Sequence, residues 1–515
     1  MADHSGRKTT RAAAAPLITI DPSSRAPLQQ QIYQGLRRAI LSGSLTPGTR
    51  LLSSRALATE LAVSRTTTLL AFDQLLAEGY VSARHGSGTF VAIELPDDLP
   101  RVARVRSPSR GTLPGLARRG LALASMPPAA RRLGASPRAF RLGVPALDLV
   151  PTRLWSQLLA RRTRSATLAQ LDYGDPAGLK ALREAIAAHV STTRGTHCTA
   201  DQVFVVAGAQ RGLEWICRLL LDPGDAVWLE EPGYPGARSA LVGAGARILP
   251  ARVDASGLDV EAAARHAGHA RLAYVTPSHQ FPLGVPMTLP RRLALLKWAS
   301  EARAWILEDD YDSEFRYATR AIPCLHGLAA DGRVIYVGSF SKTFFPSLRL
   351  GFLIVPEVVH EALVAVRRGA DLHPPTLDQA ALADFMIEGH YERHLRRMRA
   401  VYAERLEALA AAADRYGRGA ITLRPVRTGL HAVADLHAGS PEAVCEEAMS
   451  RGLEVMPLSA YFVGEPHDAH ALVLGFGAVR PEAMAAAVQR LVAAIDAVRS
   501  RRLRPDARAA GARRR

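Results

Sequence analysis

The sequence predicts an α/β protein: a small helical unit closed by a hairpin near the N-terminus, then a large domain on a mainly parallel central sheet. Three observations lead there. Apolar residues between 28 and 40 recur at i+4 spacing, and further helical stretches and a glycine-tipped extended run follow. From 141 to 498, short apolar runs alternate with helical stretches, the pattern of parallel strands joined by crossover helices. The chain has 515 residues, 48% of them hydrophobic, enough for two to four packed domains at roughly 100–200 residues each.

Residues 1–24 are expected to form a disordered tail. Leu28, Ile32, Leu36 and Ile40 then give an amphipathic first helix, ended by Gly43 and Pro47-Gly48. Ser53 or Ser54 is placed to cap a short second helix that turns Leu57 and Leu61 inward. Ala62-Val63 makes a turn. Ser64 caps a third helix, with Leu69, Leu70, Leu75 and Leu76 expected on its buried side. That helix stops at Gly79, and Tyr80 to Val91 reads as a hairpin whose tip holds Gly86 and Gly88.

Helix, short helix, turn, helix and hairpin is the order of a winged helix-turn-helix, here spanning 25–94. Its polar residues suit DNA. Arg65 and Thr66, with Thr67 and Thr68, open the third helix, where a recognition helix meets base edges. Arg50, Ser53 and Arg55 are placed for phosphates. Gly86 and Gly88 let the wing backbone approach a groove, and Arg84 and His85 add donors. A small protein-interaction module would share the helical spacing but not the wing. From Pro27 to Val91 the sequence resembles a GntR-family DNA-binding domain over its whole length. The resemblance implies DNA contacts at Arg50, Ser53, Arg55, Arg65, Thr66, His85 and Gly86, and a homodimer on a two-fold or direct-repeat operator.

Residues 95–140 are rich in Pro, Arg, Gly and Ala without a sustained period and read as a basic flexible linker. Residues 499–515 read as an Arg-rich tail. The formal net charge is +17, and residues 101–141 together with 499–515 hold an excess equal to all of it. Such segments attract polyanions, nucleic acid first, unless they are simply solvated charge runs. No apolar run approaches the roughly 18 residues of a membrane span. Met1 to Ala15 is polar and basic, without the apolar stretch of a signal peptide. Cys198, Cys217, Cys324 and Cys445 lack CxxC spacing, so a reducing cytoplasm is expected and a disulfide framework is not. No metal site is expected: His189 and His197 stand apart, and His390 and His394 read as a solvated helix face.

In the large domain, 141–498, strand-like runs end in polar clusters. Val203–Val206 leads to Ala207-Gly208-Ala209-Gln210, Val227–Leu229 to Glu230-Glu231-Pro232-Gly233-Tyr234, and Ala273–Val275 to Thr276-Pro277-Ser278-His279-Gln280. Trp305–Leu307 leads to Glu308-Asp309-Asp310-Tyr311, and Val334–Val337 to Gly338-Ser339-Phe340-Ser341-Lys342. Ligands bind beyond the carboxyl ends of strands in open α/β sheets, so these clusters are expected to share one site. Gly208, Ala209, Ser339, Ser341 and Arg349 suit a phosphate beside a helix N-terminus. Asp309 suits a protonated ring nitrogen, Tyr311 a phenolic oxygen, and Tyr234 offers a ring face for stacking. The chain has only Lys8, Lys180, Lys297 and Lys342 as lysines, and Lys342 sits among the phosphate donors, where neighbouring charge can make it nucleophilic. Taken singly, Lys342 could be a surface lysine, Asp309 a helix cap and the Ser-Phe-Ser run a turn. Together they are the parts needed for pyridoxal phosphate.

The stretches YGDPAGLKALREAIAAHV, DPGDAVWLEEPGYPGAR, VTPSHQFPLGVPM, LEDDYDSEFRY and VIYVGSFSKTFFPSLRLGFLIVP resemble the fold type I aminotransferase domain of MocR (GabR-like) regulators. That resemblance implies that Lys342 is the catalytic, Schiff-base lysine and Asp309 the partner of the pyridine nitrogen. It places Tyr311 on the phenolic oxygen, Tyr234 against the ring, and Ala209, Gln210, Ser339, Ser341 and Arg349 on the phosphate. Two stretches depart from true aminotransferases. His279-Gln280-Phe281-Pro282 has an aromatic where an Asn would hold the phenolic oxygen, and Leu472-Val473-Leu474-Gly475-Phe476 lacks the Arg that grips a substrate carboxylate. Arg238 or Arg427 could take that role instead. The expected function is a pyridoxal phosphate-dependent transcriptional regulator, homodimeric and cytoplasmic. It would sense a small amine, an amino acid or the cofactor itself, and bind a double-stranded DNA operator. The alternative is a competent aminotransferase with a DNA-binding head. A cofactor-free descendant fits poorly, because the expected cofactor contacts are present.

Overall fold

The computed structural model describes residues 18–24, 26–84, 86–96, 115–126, 138–266, 269–317 and 323–502. The chain divides into two compact units, Met1–Gly115 and Leu116–Arg515.

The first unit contains α1 (Leu28–Leu41), α2 (Ser54–Glu60), α3 (Arg65–Ala77), β1 (Val81–Arg84) and β2 (Gly88–Val91). The i+4 stripe of α1 buries Ile32, Leu36 and Ile40, while Leu28 at its start stays exposed. Ser53 caps α2, its Oγ accepting from Ala56 N at 3.1 Å, and Ser64 caps α3 in the same way through Thr67 N at 3.1 Å. The strands pair as an antiparallel hairpin in register from Val81↔Val91 to Arg84↔Gly88, and Arg50 adds a bridge to Phe90. Packing begins earlier than the expected tail allows, for Ile18 and Ile20 lean on the helical core and Asp21 N donates to Gln31 Oε1 at 2.9 Å.

The buried face of α3 differs from the expectation. Thr68, Ala71, Phe72 and Leu75 point inward, while Leu69, Leu70 and Leu76 are 42, 46 and 45% exposed. With Ser64 as the cap, the inward stripe follows the i, i+3, i+4, i+7 spacing from Thr68. Thr68 is tolerated there because its hydroxyl lies 2.9 Å from both Ser54 O and Arg65 O.

The second unit carries an eight-stranded sheet made of β3 (Val203–Val206), β4 (Ala226–Glu231), β5 (Arg247–Asp254), β6 (Gly257–Leu258), β7 (Leu272–Val275), β8 (Trp305–Asp310), β9 (Val334–Ser339) and β10 (Gly351–Ile354). Its order is β3-β10-β9-β8-β7-β4-β5-β6. The run β9-β8-β7-β4-β5 is parallel; β10 is antiparallel to both neighbours and β6 to β5. β3, β4 and β7 to β10 are buried along nearly their whole length, as expected when helices cover both faces, while β5, towards the sheet edge, is largely exposed or half-buried. A second, antiparallel sheet of β11 (Ile421–Leu423), β12 (His431–Leu436), β13 (Met456–Pro457) and β14 (Ala471–Gly475) has the order β11-β12-β14-β13. The helices His390–Tyr416 and Pro481–Arg502 pack against each other beside it.

The segment expected as linker is not uniform. Arg118–Ala124 form a helix whose Arg119 donates to Gly243 O at 3.2 Å. Ala139 and Phe140 bridge Leu453 and Gly475, so the chain joins the large unit before residue 141. The last helix likewise continues to Arg502, past the expected boundary at 498. Residues 97–114 and 127–137 of the expected linker, 1–17 of the first tail and 503–515 of the last lie outside the described residues.

Candidate cofactor and DNA-binding sites

In the small unit the expected DNA contacts lie on the surface. Arg50, Ser53, Arg55, Arg65, Thr66 and Gly86 are all exposed, and His85 lies outside the described residues. Arg65 and Thr66 form the first turn of α3, directly after the Ser64 cap. Arg50 runs alongside the wing, so close that a Cβ on Gly88 would meet its Nε at 3.1 Å. Arg84 stacks over the Phe90 ring at 5.1 Å, which stiffens the hairpin beside its tip.

In the large unit the five polar clusters lie at the carboxyl ends of β3, β4, β7, β8 and β9. Three of these strands reach further than expected, so Glu230, Asp309 and Ser339 sit on the strands themselves. Alternation along β8 sorts its acids. Glu308 accepts from Leu325 N and His326 N, both at 2.9 Å. Asp310 takes Arg194 Nε at 2.9 Å and Tyr336 OH at 2.7 Å. Among the described residues Asp309 takes only Tyr274 OH, at 2.7 Å on Oδ2, and its Oδ1 is buried without a partner. Burial pushes this carboxyl up to about 7, with Tyr274 pulling against the shift.

Gly208, at φ +85°, caps the helix Ala209–Leu220. A Cβ there would meet Arg349 Nη2 at 3.0 Å, and that nitrogen donates to Ala207 O at 3.3 Å. A guanidinium and a helix N-terminus thus converge on one point, an arrangement made for an anion. Gln210, expected on the phosphate, donates its Nε2 to Gly236 O at 2.9 Å, and the Ser339 Oγ accepts from Ser341 N at 3.2 Å. Lys342 Nζ donates to Gly143 O at 2.8 Å. Burial lowers the pKa of this amine, against the pull of the Asp312 and Asp309 carboxylates. Tyr311 OH donates to His279 O at 2.9 Å, and Tyr234 meets the edge of Phe281 at 5.6 Å.

Several residues here escaped the sequence reading. Tyr274 holds Asp309, and Gly143 meets Lys342 from a segment 199 residues away. His279 Nδ1 lies 2.8 Å from Asp312 Oδ1, and His431 stacks on His279 at 4.6 Å. His279, Asp312 and His431 bring three potential ligand atoms within 4.8 Å of one another. They form a hydrogen-bonded stack, for His279 is turned to Asp312 and His431 Nε2 to Pro282 O at 3.0 Å. The only sequence signal for this group was the polarity of His279 and Asp312 at two strand ends. Of the two arginines considered for a carboxylate, Arg238 donates to Phe462 O at 3.2 Å and Arg427 is exposed.

The residues present fit pyridoxal phosphate: a primary amine, an anion cradle, and a buried carboxylate with one unspent oxygen for a ring N–H. Together with the exposed basic face of the small unit, they define a DNA-binding regulator built on an aminotransferase fold. The profile of the gntR family of bacterial regulatory proteins matches residues 28–91, and that of aminotransferase class I and II matches 150–465. The probable rhizopine catabolism regulatory protein MocR of Rhizobium meliloti is 39% identical over 96% of this chain and 99% of its own length. The pyridoxine biosynthesis transcriptional regulator PdxR of Corynebacterium glutamicum is 35% identical over 89% of this chain and 94% of its own. Among solved structures, the α-aminoadipate aminotransferase LysN of Thermus thermophilus, complexed with N-(5'-phosphopyridoxyl)-L-leucine, superposes with a TM-score of 0.65 at 28% identity, covering 74% of this chain and 95% of LysN. The chain belongs to the MocR-type family, transcriptional regulators in which a GntR head precedes an aminotransferase class I and II domain. Its cofactor is pyridoxal phosphate. Among the described residues, no helix is long and apolar enough to cross a membrane.

Proposed function

We propose that the large unit senses a small amine, an amino acid or pyridoxal phosphate itself at Lys342, and that the outcome governs operator binding by the head. When bound, pyridoxal phosphate supplies a carbonyl carbon open to primary amines and an electron-withdrawing ring. Lys342 provides the amine that meets this carbon. Asp309 holds the proton of the ring nitrogen, and Tyr311 donates to the phenolic oxygen once its hydroxyl turns from His279 O. Tyr234 covers the ring. Arg349, Ser339, Ser341, Gln210 and the Ala209 amide bind the phosphate. Arg65 and Thr66 read base edges, while Arg50, Ser53, Arg55, His85 and Gly86 hold the backbone of the duplex. The protein acts as a cytoplasmic homodimer, two heads on two half-sites, as its GntR-type head supports.

The observation that carries this reading is the Asp309 carboxylate, buried with Oδ1 unpartnered, while Lys342 lies within its electrostatic reach. An absorption spectrum tests it. Purified protein given pyridoxal phosphate is expected to show a band absent from Lys342→Ala, and an effector should shift that band without releasing a keto product. No lysine-dependent band would overturn the cofactor role of Lys342. Joint retention of Lys342, Asp309 and Arg349 supports a second reading, slow transamination, and stoichiometric keto product would establish it.

A further inference from the structure

We propose that the ligand sensed at Lys342 is a primary amine with no carboxylate on its amine-bearing carbon and with uncharged substituents. This deepens the sensor reading and rests on it. The charged groups that weigh on the Lys342 amine are the Asp312 and Asp309 carboxylates on one side and the Arg349 guanidinium on the other. Arg349 is spent on the anion cradle, against Gly208 and Ala207 O. Asp309 is spent on the ring nitrogen. What remains of the groups that act on the amine is Asp312, which is buried, its oxygens taken by His279 Nδ1 at 2.8 Å and Leu430 N at 3.3 Å.

The wall next to this point is aromatic and aliphatic. Phe281 meets the rings of Tyr311, His431 and Tyr461 at 6.1, 5.5 and 5.2 Å. Val473, on β14, is fully buried and packs in one cluster with Phe281, Tyr461 and Leu142. Leu142 is the neighbour of Gly143, whose carbonyl receives the Lys342 N–H, so the cluster begins one residue from the partner of the amine. Burial and the adjacent His279 hold the His431 imidazole well below its ordinary range, so it offers no positive charge. Two arginines are engaged elsewhere: Arg141 pairs with Glu454 at 3.6 Å and Arg238 donates to Phe462 O at 3.2 Å.

A carboxylate brought here would lose its water and meet a like charge at Asp312. A ligand that is only an amine carries no such charge, and its ammonium form is drawn in by Asp312.

The test uses the full-length protein loaded with pyridoxal phosphate and matched pairs that differ by one carboxylate: 2-aminoethanol against L-serine, phenethylamine against L-phenylalanine, and butylamine against 4-aminobutanoate. Apparent Kd is read from the change in cofactor absorbance and, separately, from titration calorimetry. The expected result is at least about tenfold tighter binding of the carboxylate-free member of each pair. Equal binding, or preference for the carboxylate member, overturns this proposal and leaves the sensor reading standing. A cofactor-loaded protein that responds to none of the six overturns the amine and amino-acid readings together and leaves pyridoxal phosphate itself as the ligand sensed. In Phe281→Arg, a guanidinium placed on the wall is expected to narrow the serine gap; a gap that stays unchanged shows that the wall does not set selectivity.

Discussion

Burial with one oxygen unpartnered holds the Asp309 carboxyl at about 7, against an ordinary value near 3.8. Between these limits the folded protein keeps a proton that the unfolded chain has lost. Folding stability from this group therefore falls as pH rises through about 4 to 7, and the loss is complete above that window. Asp309→Asn removes the titration. In cofactor-free protein, the variant's melting temperature is expected to gain on the wild type as pH is raised from 4.5 to 8, while its affinity for pyridoxal phosphate drops because the ring N–H loses its anionic partner. A pH-independent offset between the two melting curves would overturn this account. Asp309 and Lys342 were legible in the sequence because each closes an apolar strand run, and because the chain has so few lysines. Tyr274, Gly143 and the His279–Asp312 pair were not. Their roles arise from contacts across 35, 199 and 33 residues that no local pattern records.

At the scale of elements, strand positions followed from buried apolar runs, and the caps at Ser53 and Ser64 from residue type. The inner face of α3 was misjudged because a threonine occupies an inward position that leucines were expected to fill, its hydroxyl satisfied by backbone carbonyls. The wing depends on a more exacting position. Gly88 has φ +105°, a region L side chains rarely adopt, and its Cα faces the Arg50 guanidinium. Gly88→Ala is expected to cost about 1–3 kcal/mol in the small unit and to displace Arg50. Affinity for operator duplex should fall, read by fluorescence anisotropy, while the lysine-dependent cofactor band stays as in the wild type. Loss of that band together with DNA binding would mean that the two units do not fold independently.

The whole molecule joins two units, and its positive charge is concentrated in the segments 101–141 and 499–515. The division into head and large domain, and the placement of charge, could be read from composition; the helix Arg118–Ala124 could not, being too short to show a period. A ligand at Lys342 changes operator affinity only if it binds two states of the molecule unequally. Linkage then makes the effect reciprocal: the factor by which ligand changes the Kd for DNA equals the factor by which DNA changes the Kd for ligand. Charge in the basic segments is expected to add a second, separable term. It would strengthen DNA binding in both states and steepen its salt dependence, by about 0.9 in the logarithmic slope for each phosphate neutralised. Replacing the eight arginines of 499–515 by glutamine should therefore flatten the slope of log K against log salt and leave the reciprocal factor unchanged. Titrations of ligand with and without operator, and of operator with and without ligand, at two salt concentrations measure both. A factor of one in both titrations would mean that ligand and operator binding are uncoupled, and would overturn the sensor reading. A reciprocal factor that vanishes with the arginines would mean that the tail carries the signal.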